Sequence, residues 1–262
     1  ERTHVAAAAE GTLEERTHAA GAATLCDASV TQHTGYYKLT DGALPKNYFY
    51  WAFESRSSPS DPVVLWMTGG PGCSSEVALF GENGPCQVTS DGTATTNNPY
   101  SWNSNATLIY IDQPSGTGFS FGSGMDHDEA GVAADMYNFL QQFFIAHPEY
   151  SARDFFVFGE SYAGHYVPAV THLIWKKNQN LQPGAIKINL KVRVARATFR
   201  AAPRLRALTR SLARPRAHTL WTHSGHTLDG RGRRLGTDSL TRRCSTSTTR
   251  TWRTQRTTTR QQ

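Results

Sequence analysis

The 262-residue sequence has no run of about 18 apolar residues, so no segment reads as a membrane-spanning helix. Cysteine is scarce. Cys26, Cys73, Cys86 and Cys244 are spaced unlike any metal-binding pattern. They are either small core residues or structural disulfides of an oxidising compartment. The sequence begins at Glu1 without methionine, and residues 1–25 are rich in Ala, Glu and Thr. That segment lacks the apolar centre of a signal peptide. It is expected to be a pro-segment or a disordered N-terminus. Lysine is absent from residues 192–262, which hold 17 arginines, two aspartates and no glutamate, a net charge of +15. The other 191 residues carry a net −9. The overall +6 therefore joins a mildly acidic, aromatic-rich globular sequence to a segment of another kind.

The globular part alternates two periodicities. "TGYYKL" (34–39) and "NYFYWAFES" (47–55) flank the turn signal Asp41-Gly42 and predict a β-hairpin. "PVVLWM" (62–67), "ATLIYID" (106–112) and "FFVF" (155–158) are short apolar runs, the pattern of strands buried on both faces. Residues 127–145 place Val132, Met136, Phe139, Leu140 and Phe143 three and four apart, which predicts an amphipathic helix ending before Pro148. A second helix is expected over 162–176 and a fourth strand over 185–192. Strands alternating with helices predict an α/β domain with a mixed, mostly parallel sheet. In such sheets ligands gather at the carboxyl ends of the strands. "TGGPGCSS", "DQPSGTGFSF" and "GESYAG" each follow a predicted strand.

"DFFVFGESYAGHYVP" (154–168) reads as strand, sharp turn, helix, with Ser161 at the apex. A nucleophile elbow has this form, and it needs small residues two places to either side, here Gly159 and Ala163. The helix after the turn aims its N–H groups at charge developing beside the serine oxygen. Gly69 and Gly70 in "TGGPGCSS" leave backbone N–H groups uncovered, as an oxyanion hole requires.

Together, "LWMTGGPGCSS", "IDQPSGTGFSF" and "FVFGESYAGHYVP" resemble the serine carboxypeptidases, a family of α/β-hydrolase fold, over about residues 26–191. The resemblance implies that Ser161 attacks the peptide and that the N–H groups of Gly70 and Tyr162 form the oxyanion hole. It also implies that Thr68, Gly69, Glu82 and Glu160 hold the substrate's C-terminal carboxylate. The family commonly has Asn where Thr68 stands; threonine keeps a donor and loses the amide's reach. Two close carboxyl groups share a proton, and a protonated carboxyl can donate to a carboxylate. Binding of peptide C-termini is therefore expected at acidic pH. Trp66, Asn97, Pro99, Trp102 and Tyr162 are expected to line or support the cleft. In the family Cys73 bridges to a downstream cysteine, whereas Cys26 and Cys86 allow several pairings. Asn105-Ala106-Thr107 is a glycosylation sequon, compatible with secretion. The expected setting is a lysosome, vacuole or extracellular space, with peptide or protein C-termini as partners. No cofactor, metal, membrane or nucleic-acid partner is expected.

A serine hydroxyl is a weak nucleophile without a base. In α/β-hydrolases the acid and then the histidine follow the serine in the chain. The acids after Ser161 are Asp229 and Asp238, and His218, His223 and His226 all precede them. His165, one helical turn past Ser161, reads as cleft lining or helix surface. No base is assigned, and the chain as written is expected to be truncated and inactive. A carboxypeptidase-like acyltransferase or esterase, or a non-catalytic relative with a basic binding tail, is the alternative. The Arg-rich composition after residue 192 predicts a reading-frame shift in a GC-rich coding sequence. Resequencing independent transcripts across that codon tests it, since an unbroken frame refutes it.

Overall fold

The computed structural model describes residues 11–191 apart from 24, 42 and 43. The Arg-rich segment, Cys244 and the candidate partners His218, His223, His226, Asp229 and Asp238 lie outside the described residues. The elements are, in order, β1 (Thr12–His18), β2 (Gln32–Asp41), β3 (Leu44–Phe53), β4 (Val63–Met67), α1 (Glu76–Gly81), β5 (Cys86–Val88) and β6 (Thr95–Asn97). A 3-10 turn (Trp102–Ser104), β7 (Thr107–Ile111), β8 (Phe121–Gly122), α2 (Glu129–Ala146), α3 (Pro148–Ser151), β9 (Phe155–Gly159) and α4 (Ala163–Gln179) follow.

The main sheet runs β1-β2-β3-β7-β4-β9, with β8 added to β3. From β1 to β7 neighbouring strands are antiparallel. β7, β4 and β9 are mutually parallel, so the half that carries the serine is the parallel one. The apolar runs have a simple cause. Val63, Leu65 and Met67 enter one core with Ile109, Ile111, Phe155 and Val157, beside the buried faces of α2 and α4. Val64 and Trp66 point the other way, into a second core with Leu108, Tyr110 and the α1 residues Ala78 and Leu79. Successive strand residues face opposite sides, so two cores demand an unbroken apolar strand. α2 starts at Asp128, whose carboxylate accepts from Gly131 N at 2.8 Å, and buries Val132, Met136, Phe139, Leu140 and Phe143.

Two expectations are corrected. Residues 12–18 form a strand, not a disordered stretch, and pair with β2 from Thr12↔Lys38 to His18↔Gln32. Its alternate residues Leu13 and Glu15 are half-buried, and the Glu15 carboxylate is gripped by Tyr50, His33 and His147. The strand expected over 185–192 forms only one parallel bridge, Phe155↔Leu190, among the described residues. Side-chain amides hold its backbone instead. Gln141 bonds both N and O of Ile186 at 2.8 and 2.9 Å, and Asn178 does the same for Ile188 at 3.2 and 2.8 Å. Cys26 and Cys86, 60 residues apart, form a disulfide that ties the start of the domain to β5. No helix among the described residues is long and apolar enough to cross a membrane.

Candidate active site

β4, β7 and β9 end side by side, and the three glycine-rich stretches leave the sheet there. β9 runs to Gly159, and Ser161 then takes φ +55°, a left-handed conformation that is strained for a side-chain-bearing residue. Ala163 N bonds Glu160 O at 2.9 Å and Gly164 N bonds Ser161 O at 3.0 Å, which closes the turn into α4. The turn fits only because residue 159 has no side chain. A Cβ there would strike Met67 O and stand 2.6 Å from the Ala163 Cβ. Ser161 is exposed at the apex.

The turn after β4 presses on this elbow. A Cβ on Gly69 would be nearest Tyr162 N, and would lie 2.7 Å from Glu160 O and 2.9 Å from Ala163 N. Gly69 thus brings the backbone of its turn into contact with the residue after the serine. The N–H groups of Gly70 and Tyr162 donate to no acceptor among the described residues. Ser75 fixes the turn from below. Its hydroxyl accepts from Thr68 N at 3.2 Å and donates to Ile111 O at 2.7 Å, and its own N–H bonds Asp112 Oδ1 at 2.9 Å. Thr68 is buried, and its hydroxyl oxygen accepts from Trp66 Nε1 at 3.0 Å. The Thr68 hydroxyl proton stays available for another acceptor. Trp66 is therefore a buried donor to Thr68, and its edge packs on Trp102 at 5.4 Å.

Glu82 follows α1 directly, and its carboxyl stands near enough to that of Glu160 for its charge to act on it. Burial, then the charge of Glu82, pushes the Glu160 carboxyl above the usual glutamate range. A raised carboxyl keeps its proton further into neutral pH, the state in which it can donate. Tyr162 stacks on His165 at 4.7 Å and donates to Glu129 Oε1 at 2.8 Å. Among the described residues no side chain hydrogen-bonds the Ser161 hydroxyl, and none after Ser161 is acidic. Asn97 and Pro99 are exposed, and Asn97 accepts from Arg56. Trp102, 42% exposed, packs edge-on against Phe158 at the head of the elbow. Asn105 is exposed, while Thr107 of the sequon is buried in β7.

Sequence reasoning missed a second carboxyl pair. Glu76 and Asp112 are buried side by side beneath the Thr68–Ser75 turn, and Ser74 donates to Glu76. Burial, then the Asp112 charge, raises the Glu76 carboxyl well above its ordinary range, so it carries the proton. The only signal was an acid embedded in an otherwise small, uncharged turn.

The serine carboxypeptidase family model matches residues 24–195. A serine carboxypeptidase-like protein of Oryza sativa is 51% identical over 164 residues, which cover 61% of this chain and 37% of that one. Carboxypeptidase Y homolog A of Leptosphaeria maculans is 49% identical over 157 residues, 58% and 28% of the two chains. The crystal structure of Kex1(delta)p, a prohormone-processing carboxypeptidase from Saccharomyces cerevisiae, superposes with a TM-score of 0.56 at 32% identity. The match covers 62% of this chain and 38% of that one. The chain thus spans little more than a third, at most, of these relatives.

Proposed function

We propose, for a chain that belongs to the serine carboxypeptidase family, that Ser161 is the nucleophile of an acyl-enzyme mechanism on peptides with a free C-terminus. The observation that carries this reading is the strained Ser161 backbone beside two amides, Gly70 and Tyr162, with no described acceptor. In such a reaction the serine oxygen attacks the scissile carbonyl and the amide N–H groups receive the developing oxyanion. Thr68, Gly69, Glu82 and Glu160 receive the substrate carboxylate. Trp66 turns the Thr68 hydroxyl proton outward, and the proton between Glu82 and Glu160 makes that pair a donor at acidic pH. As pH rises through the raised Glu160 value the proton leaves, and two carboxylates repel the substrate. The Cys26–Cys86 disulfide favours an oxidising setting, lysosomal, vacuolar or extracellular. Asn105 is its glycan acceptor.

The 262 residues contain no acid followed by a histidine after Ser161. The chain as written therefore binds peptide C-termini without turning them over. Calorimetry with a blocked dipeptide, as free acid and as amide, tests the binding half. The acid should bind at acidic pH and weaken toward neutrality, the amide should not bind, and Glu160→Gln should flatten the pH dependence. Equal binding of acid and amide would remove the carboxylate site. Faster reaction with ester donors than with free-carboxylate peptides would favour the esterase or acyltransferase reading.

A further inference from the structure

Three residues far apart in sequence meet beneath β1. Glu15 lies on β1, His33 on β2, and His147 between α2 and α3. Both histidines are buried, and Glu15 is half-buried. Glu15 Oε1 is 3.2 Å from His33 Nδ1, and Glu15 Oε2 is 2.7 Å from His147 Nε2. The two imidazole centroids are 4.4 Å apart.

A count of protons makes this cluster informative. The Tyr150 hydroxyl lies 2.7 Å from Glu54 Oε1 and gives its one proton there. Tyr150 is then the acceptor for His33 Nε2, 3.2 Å away, so Nε2 carries the His33 proton. The other His33 nitrogen, Nδ1, is left with a lone pair facing Glu15. Thr17 does not fill the gap, because its proton goes to Glu15 Oε1 at 3.0 Å. His147 stands between two carboxylates. Its Nε2 lies 2.7 Å from Glu15 Oε2 and its Nδ1 3.2 Å from Glu149 Oε1, so the single proton of a neutral ring serves one of them and leaves a lone pair facing the other. Tyr50 adds a donor to Glu15 but none to either ring. With neutral imidazoles, each ring turns one nitrogen lone pair toward a carboxylate, and no positive charge stands among the three groups. Either two extra protons or one divalent cation completes the arrangement.

We propose that Glu15, His33 and His147 form a binding site for a divalent transition metal of the zinc or cobalt type, which clamps β1 to the domain. Their donor atoms all lie within 4.8 Å of one another. Two imidazoles and a carboxylate are a zinc donor set, with the remaining position open to water. Tyr150 and Glu149 orient the rings by their outer nitrogens, as supports of metal-bound histidines do. The Glu15 side chain, 15% exposed, is where the cluster reaches solvent. Glu15 lies outside the family-matched residues 24–195 and both histidines lie within them, so the site joins β1 to the matched region. α3 leads into the amino end of β9, whereas Ser161 follows its carboxyl end. At about 3.3 Å per residue that is roughly 16 Å of strand, so the site stands off the serine.

The test is titration of the full chain with Co2+ near neutral pH, followed by visible absorption, then displacement by Zn2+. The expected result is one saturable site per chain, with Zn2+ raising Tm. His33→Gln and His147→Gln should each abolish it. Glu149→Gln, which alters only an exposed support of His147, should weaken binding about tenfold. Replacing His218, His223 and His226 together should leave binding unchanged. Absence of a saturable one-to-one site in the unaltered chain would overturn the proposal and leave protonated imidazoles as the completing charge. Full affinity in both single histidine variants would overturn it as well.

Discussion

Gly69→Ala tests most sharply whether the oxyanion turn and the elbow are one packed unit. Gly69 has no unusual φ, so the cost of a side chain there is steric. The three atoms nearest the added Cβ are Tyr162 N, Glu160 O and Ala163 N, all backbone, so no rotamer change can relieve them. Overpacking of a filled site costs typically 1–3 kcal/mol, and a backbone-only clash belongs at the upper end, about 3 kcal/mol. For a folded unit of this size each kcal/mol is worth about 2–4 °C, so Tm should fall by roughly 6–12 °C. Gly164→Ala is the matched control. Nothing lies within 4 Å of its Cβ, and it stands in the first turn of α4. Removing a helical glycine gains up to about 1 kcal/mol, so this variant should hold or raise Tm. Thermal scans of both variants, checked by urea unfolding, read the difference. A Gly69→Ala Tm equal to the parent, or an equal fall in both variants, would refute the packing.

Glu76→Gln probes the buried pair beneath the turn. The folded state holds its proton above the ordinary glutamate pKa and the unfolded state does not. Stability should therefore fall as pH rises from that ordinary value through the raised folded one. The glutamine variant should lose this slope in urea titrations across pH; an unchanged slope would place the proton elsewhere. Cys26→Ser with Cys86→Ser opens a 60-residue loop and should cost about 4 kcal/mol by chain entropy. A reducing agent should destabilise the parent more than the double variant, in which only the Cys73 disulfide is left to reduce. Trp66→Phe keeps the aromatic edge against Trp102 and removes the donor to Thr68. It should weaken binding of the free-acid dipeptide several-fold with little change in Tm, and a large fall in Tm instead would make Trp66 purely structural.

Local patterns carried the parallel half of the sheet. β4, β7 and β9 serve two cores at once, which leaves them apolar apart from Thr107 at the start of β7, and the elbow is written in consecutive residues from Phe155 to Ala163. What stayed hidden depends on distant partners. β1 looks polar and unstructured until Glu15 meets His147, 132 residues away. Ile186 and Ile188 alternate like a strand, yet Gln141 and Asn178 take the hydrogen bonds a neighbouring strand would have made. The Glu76–Asp112 pair needs two turns brought together by β4 and β7, and no spacing in either turn announces it.

The central claim is that Ser161 sits in a formed site and lacks the groups that would activate it within these 262 residues. Incubating the purified chain and its Ser161→Ala variant with a blocked dipeptide at acidic pH tests this directly, with free amino acid release as the readout. The account predicts that both bind the peptide and neither releases product. Release by the parent that disappears in Ser161→Ala would contradict it.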